Sequence, residues 1–485
     1  MNVIFTIIHI FGLVTMGASA LMSTCLITST LAEDGARHAF FEGTWITLLL
    51  GAFMFLTTFK VTKKVSRQTG FLLVSITWSL TPVLCTIPLM IYMPNLSFID
   101  AYFETVSGLT TTGATIFSGI DNLPMSINLW RHELNWIAGM GIIIFAVAIL
   151  PILGIGGMQL YKAETPGSVK ASDLPPRIAQ TAKALWMVYA GITVVCMFSL
   201  HFAGMNWFDS ICHAFSTMSL GGFSTHDTSI GFFNSISIER VLIVFQLLAA
   251  INFATHFIAL RKQSLKPYIN DREATTFLIL VLASVLIATC VLIQAGTYPD
   301  FMTALRYASF NVVSVATDSG FSTQDFNQWP IFVPMWMLLL SCLSASSGST
   351  GGGIRMIRTI ILMKQARLEM FKFIHPYAIR PMKIGDTVIS NNIVNSVTGF
   401  IFLYFVSIVI LTFTLLLSGL DFMTALSATI TCINNAGPGL NEVGPAGNYV
   451  NLSDFQKEVC IFAMLLGRVQ IFSIVILFVP EFWRK

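Results

Sequence analysis

The chain has 485 residues, of which 55% are hydrophobic and only 11% are charged, with a formal net charge of +3. A typical soluble domain has about 25% charged residues, so this composition excludes a water-soluble globular protein. It predicts a polytopic membrane protein.

Ten apolar segments are predicted to cross the bilayer as helices, for which about 20 residues are needed. They are residues 2–32, 43–59, 68–99, 134–161, 184–208, 241–260, 274–299, 326–354, 387–420 and 459–480. Only the last contains a charged residue, Arg468. The first segment lacks a basic leader and a cleavage site, so we expect it to be retained as a helix.

The basic residues between these segments predict the orientation. Most of the 27 lysines and arginines fall in alternate connections, namely Lys60 to Arg67, Lys162 to Arg177, Arg261 to Arg272, Arg355 to Lys383, and Arg484 with Lys485. An excess of basic residues marks cytoplasmic connections, so these lie inside and the intervening loops lie outside.

In chain order, residues 1–69 form an N-terminal transmembrane hairpin, and four units follow at 70–177, 178–272, 273–385 and 386–485. Each unit has an apolar helix, a short polar loop and a second apolar helix. Such a repeat predicts re-entrant loops between paired helices. Trp130, Arg131 and Trp136 are expected at the outer rim as interfacial anchors.

The four loops share a register that is anchored on a glycine. Gly113, Gly222, Gly320 and Gly437 each follow a hydroxyl residue by six positions, and these residues are Ser107, Ser216, Ser314 and Thr431. A single cluster of this kind is usually a helix-packing patch, but four copies in register favour a shared function.

The loops predict a site for a dehydrated cation. Backbone carbonyls at membrane depth need a partner, and four carbonyl-lined segments around one axis can replace the hydration shell of an ion. The short helix before each loop would point its partly negative C-terminus at the ion. The candidate filter residues are Thr111, Thr112, Gly113, Leu220, Gly221, Gly222, Asp318, Ser319, Gly320, Asn435, Ala436 and Gly437.

Six acidic residues lie in or beside these loops and could concentrate cations at an entrance. They are Asp100, Glu104, Asp209, Asp300, Asp318 and Asp421. The alternative interpretation is that they belong to ordinary solvated connections.

A serine- and glycine-rich stretch, Ser344 to Gly353, interrupts the second half of the third unit and cannot sustain a helix, because each glycine costs about 1 kcal/mol relative to alanine. It predicts a flexible plug across the pore on the cytoplasmic side of the filter, and the alternative is a small-residue packing surface.

Arg468 is expected to face the same permeation path, because a buried basic residue in a membrane is costly; the alternative is a packing ion pair. The candidate gate residues are Ser346, Ser347, Gly348, Ser349, Thr350, Gly351, Gly352, Gly353 and Arg468.

Other chemistries find little support. The eight cysteines are scattered singly, and no HExxH, GxSxG or GxxxxGK[ST] motif occurs. We therefore expect neither an enzyme nor a cofactor in this chain.

The four units with one glycine per loop, the extra N-terminal hairpin, the SGSTGGG break and the arginine in the last helix resemble the Trk/Ktr/HKT superfamily of potassium transporters. The resemblance covers the whole chain. It implies an all-α fold of four parallel repeats around one pore, and potassium uptake across the bacterial inner membrane. Bound K⁺ is expected at Thr112, Gly113, Gly221, Gly222, Ser319, Gly320, Ala436 and Gly437.

The resemblance also implies the partners: a second copy of the chain, and a cytoplasmic ring of TrkA-type subunits that bind a nucleotide, ATP/ADP or NAD. No nucleic acid partner is expected. Two residues depart from the family pattern. Asp318 places a carboxylate two residues before a filter glycine, and Gln470 stands where a carboxylate is expected. The alternative function is an ion-coupled potassium symporter using H⁺ or Na⁺. A filter with one glycine per loop predicts modest discrimination of K⁺ from Na⁺.

Overall fold

The computed structural model describes residues 2–59, 67–144, 174–343, 345–377, 380–385 and 387–484. Four residues named above lie outside these ranges: Lys60, Lys162, Ser344 and Lys485. The described chain is almost entirely helical, which confirms the predicted fold class. A two-stranded antiparallel ladder, β1 (Lys383–Ile384) with β2 (Thr387–Val388), is a small addition that the sequence did not indicate.

The N-terminal hairpin consists of α1 (Asn2–Ala32) and α2 (Arg37–Thr57). Two polar contacts attach it to the first unit. The Thr24 hydroxyl donates a hydrogen bond of 2.5 Å to the Glu133 carboxylate, and the Ser126 amide donates one of 2.8 Å to Asp34. The hairpin therefore packs onto the first unit rather than standing apart from it.

Each unit opens with a long helix and continues into a short one, which we call its pore helix. The opening helices are α3 (Arg67–Cys85) with α4 (Ile87–Tyr92), α7 (Leu174–Phe202), α12 (Arg272–Gln294) and α16 (Asn391–Leu417). The pore helices are α5 (Phe98–Leu109), α8 (Trp207–Ser219), α13 (Phe301–Ala316) and α17 (Phe422–Asn434).

The second half of each unit is more varied. It consists of α6 (Met125–Ile144), α9 (Ile236–Ala250) with α10 (Phe253–Lys262), α14 (Phe332–Cys342) with α15 (Met356–Ile374), and α18 (Asp454–Arg468) with α19 (Ile471–Val475). The remaining short helices are α11 (Lys266–Asn270) and α20 (Pro480–Trp483), with 3-10 turns at Ile120–Asn122, Ser229–Phe233, Phe326–Gln328, Asn441–Val443 and Ile476–Phe478.

The ten predicted spanning helices are matched only in part by the described residues. Among the described residues six helices are long and apolar enough to span, or up to eight if each of two bent pairs is one span. The pair α9 and α10 bends by 99°, and the pair α18 and α19 bends by 110°. In the eighth predicted segment the α-helix, α14, is only 11 residues long, because the serine- and glycine-rich stretch follows it directly. Part of the fourth segment lies outside the described residues.

Two predicted interfacial anchors are also corrected. Trp130 and Arg131 are 0% and 1% exposed, so they lie in the protein interior instead of at a lipid interface. The Trp130 indole donates to the Cys85 carbonyl at 3.2 Å. Trp136 stacks between Tyr189 and Phe215, with ring centroids 5.9 and 5.0 Å away. Aromatic composition alone could not distinguish a lipid-facing ring from a buried one.

Candidate functional site

The four pore helices begin in the same way. The N-cap side chains of Ser97, Asn206, Asp300 and Asp421 each accept a hydrogen bond from the backbone amide three residues later. Such a cap satisfies one of the free amides of the first helical turn. Two of the six acids therefore cap pore helices.

Three more of these acids have local partners. Asp100 pairs with Lys457 at 2.6 Å, Glu104 pairs with Arg131 at 2.8 Å, and Asp209 accepts a 2.6 Å hydrogen bond from Thr225. Asp318 is fully buried. The carboxylates of Asp100, Glu104 and Asp209 thus hold the loops and helices in place.

The C-terminal turns of the pore helices are also alike. In each, the amide of the residue before the glycine donates a 2.8 Å hydrogen bond to the carbonyl of the hydroxyl residue that defines the register, for example Thr112 to Ser107. The residue two places before each glycine has φ between 52 and 60°, and the glycines have φ between 67 and 83°. This left-handed conformation explains the recurring glycine, since a Cβ there is costly.

The four glycines form a closed ring, which we call the glycine ring. A Cβ built on Gly113 would lie 2.3 Å from the Gly221 carbonyl oxygen, and one on Gly222 would lie 2.2 Å from that of Ser319. The same relation, at 2.6 Å, joins Gly320 to Ala436 and Gly437 to Thr112. The four glycines, which are 109, 98 and 117 positions apart along the chain, therefore meet around one axis.

Buried amide side chains support the ring, and two of them, Asn135 and Gln246, were not predicted from the sequence. Asn135 on α6 donates to Ser216 at 3.3 Å and lies against Gly221; Gln246 on α9 donates to Ser319 at 3.1 Å. Asn435 donates to Thr112 at 3.0 Å, so the fourth loop is tied to the first. The sequence did contain a signal for these residues, namely isolated amides within apolar helices. Such polar groups in a membrane usually have a specific partner.

Several carbonyls of the ring face no protein donor. In the part of the chain that the structure describes, those of Thr112, Ser319 and Ala436 accept no hydrogen bond. By contrast, the Gly221 carbonyl accepts from the Phe223 amide at 3.0 Å, and the Gly437 carbonyl accepts from the Tyr449 hydroxyl at 3.0 Å. Three loops thus contribute a carbonyl that is available to a ligand at the same position.

A cavity of about 80 Å³ adjoins the ring, and its lining includes Gly113, Gly222, Gly320 and Arg131. The Arg131 guanidinium donates from Nε to Glu104 and from Nη1 to the Ser224 carbonyl at 3.2 Å. Glu104 also accepts from the Ile116 amide at 3.0 Å. This buried ion pair joins the segments that follow the first and second glycines.

A second ionic cluster connects the same two units at the outer side. His226, four residues after Gly222, pairs through one ring nitrogen with Asp121 and through the other with Asp209, the latter at 3.4 Å. Burial alone would lower the pKa of His226, but its hydrogen bonds to Asp209 and Asp121 raise that pKa above the ordinary histidine value. The two carboxylates therefore favour the protonated form of the histidine.

Residues 345–353, which we call the Ser/Gly loop, lie against the C-terminal ends of three pore helices. The Thr350 hydroxyl donates to the Met218 carbonyl on α8 at 3.0 Å. A Cβ on Gly351 would lie 3.4 Å from the Thr317 carbonyl, and one on Gly352 would lie 1.8 Å from that of Asn434. Glycine is thus required at position 352 for this close approach.

The Ser/Gly loop is also tied to the neighbouring second unit. The Ser346 amide donates to the Ala250 carbonyl at 2.9 Å, and the Phe253 amide donates to the Gly348 carbonyl at 3.2 Å. These bonds fall at the break between α9 and α10, so the bend supplies backbone groups that hold the loop. The Ser347 amide adds a 2.9 Å bond to Glu273 on α12.

Arg468 lies at the C-terminal end of α18 and not, as predicted, in the middle of a straight spanning helix. Its Nη1 donates to the Thr350 carbonyl at 3.2 Å, and it is only 6% exposed. Among the described residues its Nε and Nη2 have no hydrogen-bond partner. Gln470 accepts instead from Arg358, at 3.4 Å, so the residue where a carboxylate is expected contacts a different arginine.

Comparison with known proteins identifies the family. The family model TrkH, described as a cation transport protein, matches residues 36–485. The chain is 43% identical to a Trk system potassium uptake protein TrkH of Halomonas elongata and 39% identical to that of Escherichia coli K12, in each case over 480 residues and 99% of both chains. It also resembles the crystal structure of the potassium transporter TrkH from Vibrio parahaemolyticus, with a TM-score of 0.92 and 38% identity over 99% of this chain and 100% of that one. The chain therefore belongs to the TrkH family of cation transport proteins.

Proposed function

We propose that this protein takes up potassium across the inner membrane through a pore whose selectivity filter is the glycine ring. The observation that carries the proposal is the closed ring of four loops with unpaired carbonyls at equivalent positions in three of them. Such carbonyls can replace the water around a dehydrated K⁺ ion. The names of the full-length relatives support K⁺ as the transported ion.

The Ser/Gly loop is the gate in this proposal. It contacts three pore helices at the ends nearest the ring, and Arg468 adds a buried positive charge where it touches Thr350. A cation that had passed the ring would meet both. The loop is continuous with α15, which begins at Met356, so a cytoplasmic partner acting on α15 could displace it.

We further propose that the protein works as a homodimer seated on a cytoplasmic ring of TrkA-type subunits, which bind ATP/ADP or NAD and control the gate. These assignments rest on the family alone. A coupled symporter using H⁺ or Na⁺ is the second candidate. The closed ring of four equivalent loops favours the conducting pore over it.

The test is K⁺ flux into sealed vesicles that contain the purified protein, under an imposed K⁺ gradient, with and without a proton gradient. Rapid uptake driven by the K⁺ gradient alone supports the pore. Uptake that requires the proton or a sodium gradient supports the symporter. Empty vesicles and vesicles with a filter variant are the controls.

A further inference from the structure

The cytoplasmic end of α15 carries a basic cavity that the transport pathway does not use. Its volume is about 320 Å³, and it lies between α15 and the segment that leads into β1. Eight residues line it: Lys364, Arg367, Leu368, Phe371, Arg380, Pro381, Met382 and Lys383. Half of them are cations, and none of the described residues that line the cavity is a carboxylate. A cavity of this charge fits an anion.

The two walls of the cavity are held together by packing. Met382 is buried in a small apolar core with Ile357, Ile361 and Ile393, so the β1 segment is fixed to α15 and α16. The Lys364 ammonium donates to the Lys383 carbonyl, and the Arg380 guanidinium lies 5.5 Å from the centre of the Phe371 ring. The cations are thus presented from both sides of a formed pocket.

An exposed apolar stripe runs along α15 beside the cavity. Met363, Met370 and Ile374 are 65%, 59% and 73% exposed, and their spacings of seven and four residues put them on one face of the helix. Arg367 lies between Met363 and Met370 on this face of the helix, and it also lines the cavity. An amphipathic helix with basic residues beside exposed apolar side chains is typical of the membrane interface.

We propose that this cavity binds the phosphate headgroup of an anionic phospholipid from the cytoplasmic leaflet, with the acyl chains along the apolar stripe. The headgroup is negatively charged, and guanidinium and ammonium groups donate strong hydrogen bonds to phosphate oxygens. The cavity presents four such groups, on Lys364, Arg367, Arg380 and Lys383. Basic pockets on the cytoplasmic side of membrane helices take lipid headgroups in this way. The adjoining stripe favours a lipid over free phosphate or an acidic protein surface.

The proposal places the lipid on the helix that follows the Ser/Gly loop. Met356, the first residue of α15, donates its amide to the Ala345 carbonyl at 3.2 Å, so the helix begins in direct contact with the loop. A bound lipid would fix the far end of the same helix in the membrane interface.

The test uses the full-length protein in detergent, titrated with phosphatidylglycerol, phosphatidylcholine or inorganic phosphate, with bound lipid counted by native mass spectrometry. We expect phosphatidylglycerol to bind in preference to phosphatidylcholine. The triple variant Lys364→Gln, Arg367→Gln, Arg380→Gln should weaken that binding about tenfold or more. A charge-matched control, Arg261→Gln, Lys262→Gln, Lys266→Gln, changes three cations of another cytoplasmic connection and should retain the preference.

A second variant, Met363→Ser with Met370→Ser, separates the possible ligands because it leaves all four cations in place. Weaker phosphatidylglycerol binding by this variant supports the lipid. Competition by inorganic phosphate together with unchanged binding by the methionine variant would overturn the proposal in favour of a soluble anion. Equal binding of the two lipids by the unmodified protein, or loss of partner-ring binding by the triple variant with lipid binding intact, would also overturn it.

Discussion

The α-carbon of Gly113 faces the carbonyl oxygen of Gly221 so closely that a Cβ on Gly113 would lie 2.3 Å from that oxygen. Because Gly113 also has a φ of 79°, any side chain here is strained in its own backbone and displaces the neighbouring loop. We expect Gly113→Ser to lower the K⁺/Na⁺ flux ratio severalfold while the protein still assembles. The flux ratio is measured in vesicles with each cation in turn.

Gly191 provides the matched control for that substitution. It lies in α7 with ordinary helical geometry, and a Cβ there would have no atom within 4 Å. Gly191→Ser should therefore leave the flux ratio unchanged. An unchanged ratio for serine variants at all four ring glycines would show that the ring does not select the ion.

The second prediction concerns the charge of Arg468. If its guanidinium is an electrostatic barrier beneath the ring, Arg468→Ala should raise K⁺ flux severalfold, whereas Arg468→Lys keeps the charge and should keep flux low. Flux per folded protein is the readout, with folding checked by size-exclusion chromatography. Loss of folded protein in both variants would assign Arg468 to packing against Thr350 instead.

The third prediction concerns the Ser/Gly loop. Deletion of Gly348 to Gly352 removes the bonds from Phe253 and Thr350 and clears the segment that lies against Asn434. We expect higher basal K⁺ flux without the partner ring, and flux that responds less to nucleotide when the ring is present. Unchanged basal flux in a well-folded deletion variant would exclude this loop as the gate.

The fourth prediction concerns the buried pair of Glu104 and Arg131, each with a side chain that is 1% exposed. Removing one partner of a buried pair costs about 3–5 kcal/mol, because the other charge stays desolvated. Arg131→Met should therefore lower the thermal unfolding temperature markedly, and Glu104→Gln with Arg131→Met should lower it by less than the sum of the two single changes. The exposed pair of Lys372 and Glu369 is the control, since Glu369→Gln should cost no more than about 1 kcal/mol.

The fifth prediction concerns the pH dependence of the outer cluster. The pKa of His226 is raised in the folded protein, so its ion pairs stabilise the fold fully below the unfolded histidine pKa, about 6.5, and lose that contribution as the pH rises through the raised value. The unfolding temperature should fall over this range. His226→Gln should flatten the profile, and an equally steep profile in that variant would assign the dependence to other groups.

Features that depend on local composition and register could be predicted from the sequence. Charge-free segments indicated the membrane helices, and the basic connections indicated the orientation. The spacing from Ser107 to Gly113 and its three counterparts identified the four turns, because glycine takes a positive φ in a close backbone approach without the strain that a side chain adds.

Which groups meet depends on how the four units pack together in three dimensions. The closure of the ring from Gly437 to Thr112, the support from Asn135 and Gln246, and the contact between Arg468 and Thr350 all join residues from different units. The bends at Asn252 and Gln470 likewise escaped a reading of the sequence by hydropathy. At each bend a polar group finds its partner in a distant part of the chain. The Phe253 amide donates to the Gly348 carbonyl, and the Gln470 side chain accepts from Arg358. A local sequence pattern cannot predict a hydrogen-bond partner that lies about a hundred positions away.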